Sequence, residues 1–126
     1  DNGSRKTISI DEAGTYNTTT GDIGAKSVDS FKEIINKCKT IIANGPPGIF
    51  EKEVFRDATN EMVDAMVQAT KKGALTIIGG GEMGAAAAMA GKADEVSFIS
   101  TAGGAMLEIL SGKDLPMIKA LREKKA

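Results

Sequence analysis

Three short apolar runs alternate with longer segments in which apolar residues recur every three or four positions. The runs are KTIIA (39–43), LTIIG (75–79) and VSFIS (96–100), and each is rich in β-branched residues and ends at a glycine or a polar turn. Runs of this length and composition are typical of buried strands in a parallel sheet. We therefore predict three buried parallel strands.

The segments around these runs have the periodicity of amphipathic helices. The two longest apolar stripes consist of Val28, Phe31, Ile34, Ile35 and Cys38, and of Phe55, Ala58, Met62, Ala65, Met66 and Ala69. Further helices are predicted over Ala85–Ala90, after Gly104, and from about Asp114, with Pro116 in the first turn. The resulting order is helix, strand, helix, strand, helix, strand, helix, helix, which predicts right-handed crossovers between parallel strands.

This order predicts an α/β fold with a parallel Rossmann-like sheet in three α/β/α layers. Both faces of a parallel sheet must be covered and its edges need partners. A sheet in a compact domain usually has about five or six strands, so three strands indicate half of a doubly wound domain.

The first part of the chain has a different pattern. RKTISI (5–10) alternates as a strand does, and DEAGTYNTTTGDIG (11–24) has the composition of a loop. We predict an edge strand and an irregular approach segment over residues 1–24, followed by an α/β half-domain over residues 25–126.

Composition excludes several classes of function. A net charge of -1 and an aromatic content of 4% provide neither a basic field nor a stacking platform for nucleic acid. No apolar run approaches the roughly 18 residues of a membrane helix. Cys38 is the single cysteine, so no internal disulfide is expected and a reducing, cytoplasmic location is favoured. The lack of histidine excludes histidine-dependent triads and ordinary zinc sites within this chain.

Each predicted strand ends in an unusual loop. The loops are NGPPGIFE (44–51), GGGEMG (79–84) and STAGGAMLE (100–108). Parallel strands place such loops at one edge of the sheet, where open α/β folds bind ligands. Glycines that lead directly into helices let backbone N–H groups approach an anion. Two such junctions favour binding of phosphoryl groups over the alternative, in which small residues only allow close packing.

Single polar residues in these loops have two interpretations each. Glu51 could accept two hydrogen bonds from a ribose diol, or it could be a solvated acid in a first helical turn. Glu82 could hold magnesium, or it could simply begin a helix. Asn44 could donate to phosphate or close an Asx turn.

The glycines also raise a dinucleotide alternative. Gly79, Gly81 and Gly84 match the G-x-G-x-x-G pattern, which requires an acid at the end of the next strand to bind the ribose. The next strand ends in FISTAGG (98–104), and Glu108 lies inside the following predicted helix. The lack of an acid at the end of this strand therefore argues against an NAD-binding site.

In this order the three loops resemble the phosphoglycerate kinase family. The segments DIGAKSVDSFKEIINKCKTIIANGPPGIFE (22–51), GALTIIGGGEMGAAAA (73–88) and ISTAGGAMLEILSGKDLPMIKAL (99–121) are similar to closing segments of that family's C-terminal, nucleotide-binding domain. Several unrelated loops match in register, which makes the resemblance specific.

The resemblance implies binding of Mg²⁺ with ADP or ATP, and phosphoryl transfer between 1,3-bisphosphoglycerate and ADP in glycolysis. It implies that Glu51 meets the ribose, that Asn44 and Pro46 line the triphosphate, that Gly80, Gly81 and Glu82 lie near the phosphates with Glu82 at the metal, and that Gly103 and Gly104 offer N–H groups to the migrating phosphoryl. Such chemistry depends mainly on positioning and charge neutralisation.

The chain departs from the family pattern at several positions. Glu82 and Met83 replace the usual Asp and Ser or Thr, which changes the groups offered to metal and phosphate. Ala102 replaces the first of three glycines, and Ala25 replaces a frequent proline. Ala43 stands where bacterial and eukaryotic members usually have tryptophan, so the chain looks more like the archaeal branch.

The resemblance further implies that the family's N-terminal domain and the first half of its nucleotide domain are absent. We expect a fragment of a kinase that is inactive alone. Its expected partners are an adenine nucleotide and either the missing remainder of the enzyme or a second copy across the open sheet edge. The alternatives are a non-catalytic, self-associating α/β fragment and, more weakly, an NAD-binding Rossmann half.

Overall fold

The computed structural model describes residues 5–16 and 19–124, and helices and strands alternate within them. The helices are α1 (Ala25–Ile35), α2 (Asp57–Lys71), α3 (Gly81–Met89), α4 (Gly103–Leu110) and α5 (Pro116–Glu123), and the strands are β1 (Thr40–Asn44), β2 (Leu75–Gly79) and β3 (Phe98–Ser100). The predicted order of elements is confirmed. No helix in the described ranges is long and apolar enough to cross a membrane.

The three strands form one parallel sheet in the order β1-β2-β3, with β2 in the centre. The register aligns Ala43 with Ile78 and Ile99, and Ile42 with Ile77 and Phe98. Since side chains alternate along a strand, these two rows lie on opposite faces of the sheet. The predicted α/β fold with a parallel Rossmann-like sheet is thus confirmed.

One face of this sheet carries the main core. Ile78 is fully buried there and packs with Val63 and Met66 of α2 and with Met83 of α3. Burial of each such side chain contributes roughly 1.5–3 kcal/mol. A second buried cluster joins α1 to α2 and consists of Val28, Ala58 and Met62. The helices α2 and α3 therefore cover the same face, and α1 is held by α2.

The opposite face is largely exposed in the described part of the chain. We call Ile42, Leu75 and Phe98 the outer face; their exposed fractions are 40%, 49% and 61%. The helix α4 begins to cover this side, because Met106 occupies the space that a side chain on Gly79 would fill. This half-covered sheet is the arrangement expected of half a doubly wound domain.

The third strand is shorter than predicted. The run VSFIS predicts a strand from Val96, but β3 begins at Phe98. The backbone N–H of Ser97 donates to Thr76 Oγ1 at 3.0 Å, and the N–H of Thr76 donates to Ser97 Oγ at 3.1 Å. Side-chain oxygens thus replace the strand ladder at this end of the sheet.

The prediction of an edge strand over RKTISI (5–10) is wrong. Residues 5–9 have no regular structure, and Ile10–Thr15 is a 3₁₀ helix. The backbone N–H of Ser9 donates to Glu12 Oε2 at 3.1 Å, which caps this short helix. Arg5 also forms an ion pair with the first residue of α2, so the segment binds a helix end instead of the sheet.

The rest of the predicted approach segment is partly testable. Residues 11–15 of the predicted loop lie in the 3₁₀ helix, so the loop prediction is wrong there, whereas residues 19–24 have no helix or strand, as it requires. Residues 1–4 and 17–18 of that segment lie outside the described residues. The division of the chain between residues 24 and 25 stays a prediction.

Candidate functional site

The loops that follow the three strands meet at the carboxyl edge of the sheet. Asn44 Nδ2 donates to the carbonyl oxygen of Gly103 at 3.3 Å, and Gly80 N–H donates to that of Ser100 at 2.9 Å. A Cβ atom on Gly103 would lie 2.7 Å from Gly80 Cα and 3.0 Å from Asn44 Oδ1. We call Asn44, Gly80 and Gly103 the glycine junction, because these three predicted site residues touch and leave no room for a further side chain.

Two helices begin at this junction. Gly80 has a φ of +92°, which favours glycine, and α3 starts immediately after it, four residues before the predicted start at Ala85. Neither Gly80 nor Ala102, the residues that precede α3 and α4, makes a side-chain cap hydrogen bond. A Cβ atom on Gly81 or Gly104 would meet nothing within 4 Å. There is thus open space beside the first turns of α3 and α4, whose N–H groups carry partial positive charge.

A pocket of about 400 Å³ lies between the loop that follows β1, the start of α3 and the segment before α1. We call residues 45–52 the proline loop. The pocket is lined by Thr20, Gly21, Asp22, Ile23, Pro46, Pro47, Gly48, Ile49, Glu51 and Glu82. It brings Pro46, Glu51 and Glu82 together from two predicted loops, and its size suits a small ligand.

The charged side chains that line this pocket are all acidic. They are Asp22, Glu51 and Glu82, and no lysine or arginine among the described residues lines the pocket. The pocket alone would therefore repel a polyphosphate. No group of three or more His, Cys, Asp or Glu residues in ranges 5–16 and 19–124 is arranged to hold a metal ion. Glu82 suits the mode in which Mg²⁺ takes one carboxylate together with phosphate oxygens and water.

Two residues that sequence analysis did not single out shape the pocket. Arg56 Nε donates to the carbonyl oxygen of Phe50 at 2.6 Å, and its Nη2 lies 3.4 Å from that of Glu51. Asp22 Oδ2 accepts a hydrogen bond from the N–H of Ala58 at 3.1 Å. The Asp22 contact joins residues 36 positions apart, so no local spacing reveals it. In the sequence, Asp22 is merely the first residue of a segment (22–51) that resembles the family.

Comparisons with known proteins agree with the resemblance. The family model described as phosphoglycerate kinase matches residues 2–113. Phosphoglycerate kinase from Emericella nidulans is 52% identical over 103 residues, which are 82% of this chain and 24% of that protein. The enzyme from Plasmodium falciparum is 42% identical over 125 residues, covering 98% of this chain and 30% of its own length.

Solved structures give the same result. Phosphoglycerate kinase from Coxiella burnetii superposes with a TM-score of 0.80 and 37% identity, over 94% of this chain and 30% of that one. The structure from Pyrococcus horikoshii gives a TM-score of 0.75 and 36% identity, over 84% of this chain and 25% of that one. The likeness to the archaeal branch stays a prediction.

The chain spans only about a quarter of the relatives it matches, at 24% to 30% of their length. The matched region nevertheless includes all three strand-end loops, since the family model extends from residue 2 to residue 113. With this coverage and these identities, the chain belongs to the phosphoglycerate kinase family.

Proposed function

We propose that this chain supplies strand-end loops of the nucleotide site of a phosphoglycerate kinase and binds ADP or ATP with Mg²⁺ at them. In this proposal the whole enzyme transfers a phosphoryl group between 1,3-bisphosphoglycerate and ADP in glycolysis. Family membership supports the reaction, and the geometry of the carboxyl edge supports the location of the site.

The observation that carries the proposal is the glycine junction. Contact between the backbones of Gly80 and Gly103 brings the starts of α3 and α4 side by side. Two adjacent helix N-termini concentrate partial positive charge and N–H donors, which suits phosphoryl oxygens. Close packing alone does not require Gly81 and Gly104, because side chains at these positions would enter open space.

Each predicted residue takes one role in this proposal. Glu51 accepts hydrogen bonds from the ribose, Asn44 and Pro46 lie along the triphosphate, Gly80, Gly81 and Glu82 lie near the phosphates and the metal, and Gly103 and Gly104 donate N–H groups to the migrating phosphoryl. Asn44 also has a structural role, because its Nδ2 donates a hydrogen bond to the carbonyl oxygen of Gly103. No side chain of the chain acts as a nucleophile, since preorganised donors can stabilise the transferred group.

The acidic lining of the pocket calls for positive charge beside a bound polyphosphate. Glu51 and Glu82 line the pocket, so a polyphosphate bound there would need a cation between itself and the two carboxylates. When bound, Mg²⁺ would neutralise phosphate charge. Glu82 is the residue of this chain that would hold it, because it follows Gly81, the first residue of α3, and also lines the pocket.

The proposal is tested by calorimetric titration of the purified chain with Mg²⁺-ADP, with NAD and adenosine as comparison ligands. We expect saturable binding of ADP, weaker binding of adenosine and none of NAD. Glu51→Gln should weaken ADP binding roughly tenfold or more, because a charged acceptor is lost. Glu53→Gln is the matched control, since Glu53 is exposed two residues away and does not line the pocket. Equal heats with and without ADP would contradict the proposal.

We further propose that the chain has no kinase activity by itself. Three quarters of the length of its relatives lies outside the match, and the pocket offers no cation of its own for the substrate phosphates. A coupled assay of ATP formation should give the same rate with the chain as without any protein. A rate typical of a whole enzyme would overturn this statement.

The outer face is a side of the sheet that is largely exposed in the described part of the chain. Ile42, Leu75 and Phe98 form an apolar surface on one side of a parallel sheet, which normally has both faces covered. We propose that a part of the enzyme outside this chain covers it, because most of the relatives' length is outside the match.

A further inference from the structure

We propose that Asp22 is a positioning residue that holds two walls of the pocket in place for the nucleotide. One wall is residues 20–23, and the other is the proline loop, which carries Glu51. The effect on a ligand rests on the proposed function, whereas the effect on the walls can be measured without any ligand.

Both carboxylate oxygens of Asp22 are engaged by backbone groups. Oδ2 accepts from the N–H of Ala58 at 3.1 Å, and Oδ1 accepts from the N–H of Ile23 at 2.9 Å. Arg56, which precedes α2, makes no side-chain cap. Asp22 therefore caps the start of α2 from a distant part of the chain, and a negative charge is favourable at that helix end.

The same carboxylate lies against the proline loop. A Cβ atom on Gly48 would overlap Asp22 Oδ1 and the carbonyl oxygen of Phe55, so glycine is needed for the close approach. Next to this contact, Ile49 N–H donates to the carbonyl oxygen of Gly21 at 2.9 Å. One side chain thus joins the segment before α1, the proline loop and the start of α2.

Asp22→Asn tests this arrangement with almost no change in size. An amide NH₂ group cannot accept a hydrogen bond, so one of the two backbone donors loses its partner. Asp57→Asn is the matched control, because it removes the same charge at the start of the same helix, and Asp57 does not line the pocket.

We expect Asp22→Asn to weaken Mg²⁺-ADP binding about tenfold, and Asp57→Asn to change it less than about twofold. Titrations are run where both variants are fully folded, so that loss of stability alone does not alter the dissociation constant. Hydrogen exchange without ligand gives a second readout. Exchange of the Ile49 amide should accelerate in Asp22→Asn, while exchange of the Ile78 amide in the core stays unchanged relative to global stability.

The outcomes separate this inference from the proposed function. Weaker ADP binding together with faster Ile49 exchange supports the positioning role. Unchanged ADP affinity in Asp22→Asn overturns it, even if the variant is less stable. Failure of the unmodified chain to bind ADP overturns the proposed function. The hydrogen-exchange rate of the Ile49 amide then tests the role of Asp22 by itself, and an unchanged rate in Asp22→Asn refutes that role.

Discussion

Neighbouring glycines at the start of α4 have opposite requirements. Gly103 is buried, and a Cβ atom there would lie 2.7 Å and 2.8 Å from two backbone atoms of Gly80. Backbone atoms cannot rotate away as the end of a flexible side chain can. Gly104 has open space around it, so its lack of a side chain has no packing purpose.

Alanine substitutions at this pair should therefore differ in sign. Gly103→Ala forces α4 away from Gly80 and should lower the free energy of unfolding by about 1–3 kcal/mol. Gly104→Ala should raise it by about 0.5–1 kcal/mol, because alanine is favoured over glycine in a helix. Urea unfolding of both variants checks this. Similar midpoints for the two variants would contradict the crowding at Gly103.

Two fully buried threonines form a second pair with different surroundings. The hydroxyl of Thr59 has no hydrogen-bond partner in the described residues. Thr76 Oγ1 lies 2.6 Å from Thr70 Oγ1 and accepts from the N–H of Ser97 at 3.0 Å. A buried polar atom without a partner destabilises the fold, whereas a satisfied one must be kept.

Replacement by valine, which has nearly the same shape, tests this contrast. Thr59→Val should leave the free energy of unfolding unchanged or raise it by up to about 1 kcal/mol, because an unpaired hydroxyl is removed. Thr76→Val should lower it by about 1–3 kcal/mol, because the Ser97 N–H loses its acceptor. Thermal and urea unfolding measure both values. A greater loss in Thr59→Val than in Thr76→Val would show that Thr59 has a partner in solution.

Between elements, an ion pair joins α1 to α2. Lys32 Nζ donates to Glu61 Oε2 at 2.5 Å. The pKa of Lys32 is raised above 10.5, mainly because of this hydrogen bond and secondly because of the negative charge of Glu61. A raised lysine pKa means that the contribution to stability is complete below the unfolded value and is lost as pH rises through the folded one. Both side chains are partly exposed, so salt weakens the effect.

The stability gap between the unmodified chain and Glu61→Gln should consequently depend on pH. We expect a constant gap at neutral and mildly alkaline pH, which closes as pH rises past 10.5 because Lys32 loses its proton. Urea unfolding over this range measures the gap. Glu33→Gln, an exposed position on α1, is the control. An equal gap for Glu61→Gln on both sides of the lysine pKa would refute the interaction.

Elements with strong periodicity were predictable from the sequence, and their partners across the chain were not. The run at 75–79 matches β2 completely, because a buried central strand needs a continuous apolar sequence. The alternation at 5–10 failed because Ile10 is 87% exposed, so the pattern does not mark a buried face. The order of strands and glycine loops predicted that the loops lie at one edge of the sheet, where Asn44, Gly80 and Gly103 are in contact; their role as a binding site stays a prediction. The hydrogen bond between Asp22 and the Ala58 N–H joins residues 36 positions apart, and no local pattern in the sequence predicts it.

At the scale of the molecule, the outer face predicts complementation with the rest of an enzyme. Mixing this chain with the part of Plasmodium falciparum phosphoglycerate kinase outside its matched 30% should restore measurable kinase activity, because the exposed apolar face would become covered. Phe98→Asp should abolish the effect, since it places a charge in that interface. Ile10→Asp is the control, because Ile10 is also exposed and lies in the 3₁₀ helix.

Other results would identify another occupant. Concentration-dependent dimers of the chain alone, lost in Phe98→Asp and unaffected by the added part, would contradict the proposal and assign the outer face to a second copy. Sedimentation velocity distinguishes these cases. A chain that stays monomeric and shows no complementation would leave the outer face without a protein partner and would also refute the proposal.

The order β1-β2-β3 has a consequence for how the chain acquires its structure. Each strand pairs with the next strand in the sequence, so loop closure spans a single helical crossover at every step and costs relatively little entropy. Folding can therefore advance one strand and helix at a time. During synthesis, the β1-β2 pair with α2 can be complete while β3 is still inside the ribosome, and the later strand is added to an existing template.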